Sequence, residues 1–555
     1  MKFDDILHHV GEFGPYQRRL YFLVCLPAIT IAFHGMMPIF ILDIPDYRCA
    51  IPGLKNDSYG SRGIWHQELL NDSIPYKDGK LSQCMIYDNT TRHHDANSSA
   101  TQCDQWVYDE SVYENTAVTQ LNLVCGKEID RSHLNMINMA GNLVGSLGFG
   151  LLSDILGRKK VMMINILIHI TAGIGTAFIT DFTGLAILRF MDGTSNSGLF
   201  LMVFGIGMEL VGPSKRTFCG IVINFFWILG LFGLGGIAYW LRDWRHLTLA
   251  CSVPAVVFLS YGWLVPESPR WLLSRGRNDE AEAIIKKIAE SNKTAVPSNM
   301  FGDDTLDEGP KSKLSEMFTT PRLVITSVIL FYNWFVVNLV YYGLSLNIGN
   351  LSGDIYLNYT LSNIAECVAY IGCILLLDKV GRKILLTTCF IVGGLGCVSI
   401  LFPVIYGSSS HAWITIMITM IGRLGCSGSY AIMFVYSAEI FPTVVRSSGM
   451  GVCAVFSRIG GVVAPYIADL GLLTGGDLKT ALPLLVFGVT SLLAGILTLV
   501  LPETLNKQLP ETIDDAKILT KGGIRLGKNK HYEMNGQYQH KNGGIINYGY
   551  QEKQT

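Results

Sequence analysis

Two ionisable residues stand near the middle of long apolar stretches, where no water is at hand to solvate a charge. Glu366 lies in Asn363-Ile-Ala-Glu-Cys-Val-Ala-Tyr370 and Arg458 in Phe456-Ser-Arg-Ile-Gly-Gly461. A charge at such a place costs ~3 kcal/mol or more and marks a functional candidate by default. The chemistry on offer is ion recognition. A carboxylate attracts an ammonium group, and a guanidinium makes a two-point pair with a carboxylate. Together they suit a zwitterion. The bland alternative is that Glu366 and Arg458 pair with each other as a buried bridge, which stabilises little. His34 also lies in an apolar stretch; it either lines a cavity or donates to a neighbouring helix, and the second reading is favoured. Enzyme chemistry lacks its residues. Gly233–Gly236 and Gly393–Gly396 fall inside apolar stretches rather than after strands, and no Walker sequence occurs, so no nucleotide chemistry is expected. No resident cofactor or metal is expected either.

Charges so placed need long apolar helices to hold them. The chain has 555 residues, 49% hydrophobic and only 16% charged, with a mean hydropathy of +0.34. Soluble domains carry about 25% charged residues. The net charge of −1 gives no basic field for nucleic acid. A membrane-spanning helix needs about 20 mostly apolar residues. Such stretches are Leu20–Leu42, Leu134–Leu152, Val161–Ile179, Leu185–Met208, Phe218–Leu241 and Leu247–Val265. Six more follow at Leu323–Leu346, Ile355–Leu377, Ile384–Tyr406, Ala412–Tyr436, Ser447–Leu470 and Thr480–Leu501. The expected fold class is thus an all-α membrane protein of twelve transmembrane helices, with both termini on one side. Lys and Arg mark that side as cytoplasmic: Arg158-Lys159-Lys160, Lys215-Arg216, Lys379, Arg382, Lys383 and Arg446 share it. The opposite short loops lack them, the Arg242–Arg245 turn excepted. No cleavable signal is evident, since acidic Asp4, Asp5 and Glu12 precede a first apolar run too long for one.

The expected organisation is a cytoplasmic N-terminus (1–19) and an N-terminal six-helix half (20–265) containing a large extracellular loop (43–133). A cytoplasmic linker (266–321), a C-terminal half (322–501) and a polar, disordered cytoplasmic tail (502–555) follow. Within the linker, Asp279–Ser291 has the spacing of an amphipathic helix lying on the bundle. The loop holds four glycosylation sequons, at Asn56, Asn71, Asn89 and Asn97. It also holds Cys49, Cys84, Cys103 and Cys125, an even number that predicts two disulfides with three pairings open. Zinc on these cysteines with His93 and His94 is disfavoured for want of paired C-x-x-C spacing. The remaining cysteines fall in spans and read as apolar packers. Trp240, Trp244 and Trp263, near span ends, read as an interfacial belt.

The halves echo each other. Gly150-Leu-Leu-Ser-Asp154-Ile-Leu-Gly157-Arg158-Lys159 returns as Leu375-Leu-Leu-Asp378-Lys-Val-Gly381-Arg382-Lys383. Arg189 returns as Arg423, Glu209 with Arg216 as Glu439 with Arg446, and Pro266-Glu267-Ser268 as Pro502-Glu503-Thr504. Gly150 and Gly157 are expected to allow close helix approach and a tight turn. Asp154, Arg158, Glu209, Arg216, Asp378, Arg382, Glu439 and Arg446 are expected to form ion pairs that latch the cytoplasmic face. Static surface pairs, worth ~0–1 kcal/mol each, are the alternative. Duplication of the set in both halves favours the latch.

These motifs resemble the major facilitator superfamily, as does Pro266-Glu-Ser-Pro-Arg-Trp271. Pro45-Asp46-Tyr47-Arg48-Cys49 and Thr116-Ala-Val-Thr-Gln-Leu-Asn-Leu-Val-Cys125 narrow the resemblance to solute carrier family 22, the organic cation, anion and carnitine transporters. Phe13-Gly14-x-x-Gln17-Arg18, Trp244-Arg245-His246-Leu247, Tyr341-Tyr342-Gly343-Leu344-Ser345-Leu346 and Glu439-Ile-Phe-Pro-Thr-Val-Val-Arg446 agree with it. The resemblance runs from about Phe3 to Ile513. One departure is Gln120 and Asn122, where the family signature usually has Glu and Asp; folding of the loop or surface partners are what it puts in doubt.

The resemblance implies two parallel six-helix repeats that rock about a central site. It implies a small organic ion as substrate and the bilayer as surroundings. The cation branch usually has Asp at the position matching Arg458, and the anion branch has Arg there with Lys matching Tyr370. Carnitine-type members have the Arg together with a Glu matching Glu366. Glu366, Arg458 and Tyr370 therefore look carnitine-like. Trp227, Tyr341, Tyr342 and Tyr430 match aromatic substrate-contact positions, and such rings attract alkylammonium ions by roughly 0.5–2 kcal/mol each. The expected function is transport of organic cations or zwitterions across the plasma membrane by alternating access, with a coupling ion such as sodium left open. The alternatives are an organic anion exchanger, which Arg458 allows, and a non-transporting receptor.

Overall fold

The computed structural model describes residues 3–77, 80–87, 100–295, 320–351, 353–406, 412–471, 478–507, 510 and 512–521. Twelve long helices follow the expected spans. The first half comprises α1 Pro15–Ile41, α2 Ile129–Leu156, α3 Arg158–Thr176, α4 Phe182–Glu209, α5 Pro213–Trp240 and α6 Trp244–Leu264. The second comprises α7 Pro321–Leu346, α8 Ile355–Val380, α9 Arg382–Ser399, α10 Ala412–Ile440, α11 Arg446–Ala468 and α12 Leu478–Thr498. Prolines at 27 and 38 break α1 into three pieces, because each removes a backbone donor and starts a new helical turn.

Ten of the helices are long and apolar enough to cross a membrane. The other two, α3 and α4, occupy expected spans but carry charges within them. α3 starts on Arg158-Lys159-Lys160, and α4 buries Arg189 and Asp192. The α3 charges stand at its first turn, and Arg189 and Asp192 are buried inside the first half, so polarity and membrane depth are compatible.

Glycine brings α2 and α4 together. A Cβ on Gly145 would lie 2.1 Å from the Thr194 carbonyl, and one on Gly193 would lie 2.0 Å from that of Asn138. Gly150, expected to do this, meets Leu201 at an ordinary 3.5 Å. The close approach thus falls nearer the middle of α2, where no duplicated motif marks it.

The loop is not wholly helical or irregular. Tyr47–Cys49 pairs with Trp106–Tyr108, Tyr76–Lys77 with Lys80–Leu81, and Met85–Tyr87 with Ala100–Gln102, all antiparallel. Disulfides join Cys49 to Cys103 and Cys84 to Cys125, one of the three pairings left open. The remaining cysteines are free, and most are buried. Asp57 accepts from Arg48 at 2.5 Å and from His66 at 3.1 Å. Burial opposes the Asp57 charge, but these bonds and the Ile51 amide hold its carboxyl below the ordinary range. Asn56 and Asn71 are exposed; Asn89, Asn97, His93 and His94 lie outside the described residues. Gln120 accepts from Trp244 at 3.0 Å and Arg245 at 3.1 Å, and Asn122 accepts from Tyr108 at 3.0 Å in a left-handed helix cap. Gln120 therefore holds the loop to the bundle, and Asn122 holds the loop to itself. Trp244 is consequently 3% exposed and no part of an interfacial belt, whereas Trp240 and Trp263 are 87% and 86% exposed.

The linker helix spans Asn278–Asn292 and buries Ala281, Ile285, Ile288 and Ala289, as its spacing predicts. It packs with an N-terminal helix, Phe3–Val10. Asn292 clamps the two, donating to the Val10 carbonyl and to Gln17. Part of the tail is helical as well: Ile513–Lys521 packs against α7 with Ala516 buried.

Candidate substrate-binding site

Four helices bring the expected residues together. α8 places Glu366 and Tyr370 one turn apart on one face, a spacing at which helical side chains meet. Tyr341 and Tyr342 come from α7, Tyr430 from α10 and Trp227 from α5. The Tyr341 ring centroid lies 5.4 Å from Tyr342 and 5.3 Å from Tyr430. Trp227 Nε1 donates to the Tyr341 hydroxyl at 3.3 Å, so the first half reaches into the second. Trp334 of α7 extends the aromatic wall, 6.1 Å from Tyr430.

Glu366 is fully buried and fully engaged. It accepts from Tyr341 at 3.0 and 3.2 Å and from Tyr370 at 3.2 Å. Its ion-pair partner is Arg423 on α10, at 2.6 Å. Arg423 also donates to the Tyr341 carbonyl at 2.9 Å and to Ser345 at 2.6 Å, and its guanidinium lies 4.1 Å from the Tyr341 ring centre. The expected structural alternative, Glu366 with Arg458, is not what forms. Arg458 is half-buried and has no ion pair or hydrogen bond among the described residues. Gly461, three residues further on α11 and so on the same face, would put a Cβ 3.7 Å from the Tyr342 ring, so that face of α11 borders the aromatic wall.

Sequence reasoning treated Arg423 only as an echo of Arg189. It also passed over Asp192, wrongly leaving Glu366 as the one deep acidic residue. In the first half Asp192 sits among His34, His169 and Arg189, all buried. His34 does bond to neighbouring helices, as favoured: Nδ1 lies 2.6 Å from Asp192 of α4, and Nε2 lies 3.2 Å from Ser252 of α6. A polar residue in each apolar run was the available signal.

At the end where the Phe3–Val10 helix and the linker helix pack, the duplicated residues form matched triads. Arg158 lies 3.0 Å from Asp154 and 3.4 Å from Glu209. Arg382 lies 3.1 Å from Asp378 and 3.2 Å from Glu439. Glu209 and Glu439 thus do not pair with Arg216 and Arg446. Arg216 reaches Asp4 at 2.6 Å, and Arg446 donates to the Phe441 carbonyl at 3.2 Å. Glu267 and Glu503, from the repeated Pro-Glu motif, accept backbone N–H bonds at the starts of α3 and α9. Gly157 and Gly381, at φ +102° and +101°, make the turns there and leave room for those carboxylates. Each triad stays within one half.

The halves are tied at the opposite, loop-bearing end. Arg131 of α2 pairs with Asp469 after α11, which also accepts from Ser132 at 2.5 Å. Tyr356 of α8 donates to the Val112 carbonyl at 3.3 Å, and Phe40 of α1 stacks on Tyr356. Burial in this seam pushes the Asp43 carboxyl above its ordinary range, against the pull of Arg131.

Two echoed halves that enclose charges and aromatic rings define a membrane carrier of the major facilitator class. The fold is similar to that of the Escherichia coli xylose transporter XylE in a partially occluded inward-open conformation, at TM-score 0.59 and 15% identity over 89% of this chain and 100% of that chain. The model of the sugar (and other) transporter family matches residues 76–515. The Drosophila melanogaster organic cation transporter protein is 38% identical over 531 residues, 93% of this chain and 95% of its own. Human solute carrier family 22 member 2 is 34% identical over 547 residues, 93% and 95% of the two chains. Human member 13 is 33% identical over 532 residues, 93% of each. The chain belongs to solute carrier family 22.

Proposed function

We propose that this protein carries small organic cations and zwitterions across the plasma membrane by alternating access, with both termini cytoplasmic and the disulfide-linked loop outside. The observation that carries the substrate reading is the wall of Trp227, Tyr341, Tyr342 and Tyr430 beside Arg458. The rings offer π faces to an alkylammonium group. Arg458 offers a guanidinium to a carboxylate, free of any ion pair among the described residues. Glu366 is neutralised by Arg423, so it fixes Tyr341 in place and sets the local field rather than meeting the substrate first. The names of the similar proteins, organic cation transporters among them, support the cation half of the reading. An inter-half seam at the loop end, with triads confined to each half at the other, suits a carrier closed to the outside. Reopening it requires breaking Arg131–Asp469 while each triad keeps its own half rigid.

A second reading, organic anion exchange, draws on the same free Arg458. Uptake of tetraethylammonium, carnitine and para-aminohippurate by one expressing cell line separates them. Transport of the first two but not the third supports the proposal. Transport of para-aminohippurate alone selects exchange of anions, and transport of none leaves a receptor-like role.

A further inference from the structure

The first half buries a charge cluster that the substrate wall does not use. His34 of α1, His169 of α3, and Arg189 and Asp192 of α4 meet there, each at most 2% exposed. Asp192 Oδ1 lies 2.6 Å from His34 Nδ1 and 3.9 Å from His169 Nδ1. Its Oδ2 lies 3.6 Å from Arg189 and accepts from Asn138 of α2 at 3.4 Å. The two imidazole centres are 4.1 Å apart. His169 Nε2 and all three guanidinium nitrogens of Arg189 have no hydrogen-bond partner among the described residues. The charged and titratable groups facing His34 are thus His169, Arg189 and Asp192. α2 brings Asn138 and α6 brings Ser252, while α5, also packed on α1, brings Trp227.

We propose that this cluster is a proton-binding site centred on His34, and that its proton and an organic cation oppose each other during transport. Hydrogen-bond accounting carries the first part. Ser252 Oγ has one proton and two acceptors in reach, the Thr248 carbonyl at 2.7 Å and His34 Nε2 at 3.2 Å. With Nε2 bare, the hydroxyl turns to it. With Nε2 protonated, the hydroxyl turns to Thr248 and accepts from the imidazolium. His34 Nδ1 donates to Asp192 in both states, so neither leaves a buried donor of His34 unmet. Gly173 makes the room: a Cβ there would lie 2.4 Å from the His34 ring and 2.5 Å from Ser252 Oγ. A metal cation fits poorly, because the Arg189 guanidinium already faces the carboxylate. Two charged imidazoles so close repel in a low dielectric, so the cluster takes one added proton.

The second part rests on the proposed substrate reading and on contact. Gly35, next to His34, lies against Trp227: a Cβ there would be 3.2 Å from the indole. Trp227 donates to Tyr341, which donates to Glu366. A proton on His34 adds positive charge to the helix that packs on Trp227, and that charge opposes a second cation at the aromatic wall.

The test uses the full-length protein. Proteoliposomes clamped at zero membrane potential take up tetraethylammonium at external pH 8 and 5.5, across the range in which histidine changes charge. Separately, the thermal midpoint of the substrate-free protein is followed from pH 5 to 8. We expect a wild-type uptake ratio of at least fivefold in favour of pH 8. In His34→Gln the ratio falls below twofold, and the His34-dependent part of the midpoint change disappears. Ser252→Ala keeps the imidazole and should move the pH of half-change. An unchanged midpoint profile in His34→Gln overturns the proton site, and if that variant does not fold, an unchanged profile in Ser252→Ala does so. A changed midpoint profile with no tetraethylammonium uptake by wild type keeps the site and sinks the substrate reading instead. A changed midpoint profile with an unchanged uptake ratio overturns the opposition of proton and cation.

Discussion

Arg189 and Arg423 occupy echoed positions in the two halves, yet their surroundings differ. Arg423 has a carboxylate at 2.6 Å, a carbonyl, a hydroxyl and an aromatic face. The Arg189 guanidinium has one carboxylate at 3.6 Å and no hydrogen bond among the described residues. Asp192 meanwhile takes its short bond from His34. A duplicated scaffold has thus diverged into a closely bonded charge pair, in which Arg423 Nε alone of the guanidinium nitrogens lacks a partner among the described residues, and a cluster in which all three Arg189 nitrogens lack one. A buried network with most partners in place is rigid and costly to alter, whereas a poorly satisfied one has alternative arrangements of similar energy. The second half is suited to hold a recognition wall still, and the first to change state.

The sharpest way to break this contrast is to remove one partner from each half. Glu366→Gln or Arg423→Met should cost about 3–5 kcal/mol, because each leaves a buried charge alone. Folded protein at the cell surface, measured by biotinylation, should fall steeply, and loss of all substrates together is then expected. Arg189→Met should cost less than Arg423→Met, since it deletes no side-chain hydrogen bond and Asp192 keeps its 2.6 Å contact with His34. Equal losses of surface protein in Arg423→Met and Arg189→Met would remove the distinction between the halves.

Arg458→Asp sharpens it from the substrate side. No ion pair is broken, so surface protein should persist. Carnitine uptake should fall at least tenfold, a loss of about 1.4 kcal/mol, while tetraethylammonium is kept or improved. Parallel losses of both would place Arg458 outside recognition.

The smallest effect belongs to the triads. Asp154 is 67% exposed in its pair with Arg158, so Asp154→Asn should cost at most about 1 kcal/mol of stability. A mutation that biases the open and closed states without touching substrate lowers maximal rate more than apparent affinity. Initial rates against substrate concentration, at equal surface protein, check this. An unchanged maximal rate would leave the triads as static surface pairs.

The sequence by itself determined the helices, their order and the duplication. Hydropathy and charge act locally: about 20 apolar residues must become a buried helix whatever surrounds them. It also determined which residues are polar at depth, because Glu366 and Arg458 stand out in any reading of their stretches. The spans α3 and α4 were legible as helices, but Arg189, Asp192 and His169 within them were not read as one cluster. Partnership is decided between helices, across α1, α3, α4 and α6, and no spacing along one strand of sequence encodes it. For the same reason Glu366 found Arg423 rather than Arg458, Glu209 found Arg158 rather than Arg216, and one disulfide pairing of three was chosen. A charge takes the nearest well-aligned partner when water is excluded, and which partner is nearest is a property of packed helices alone.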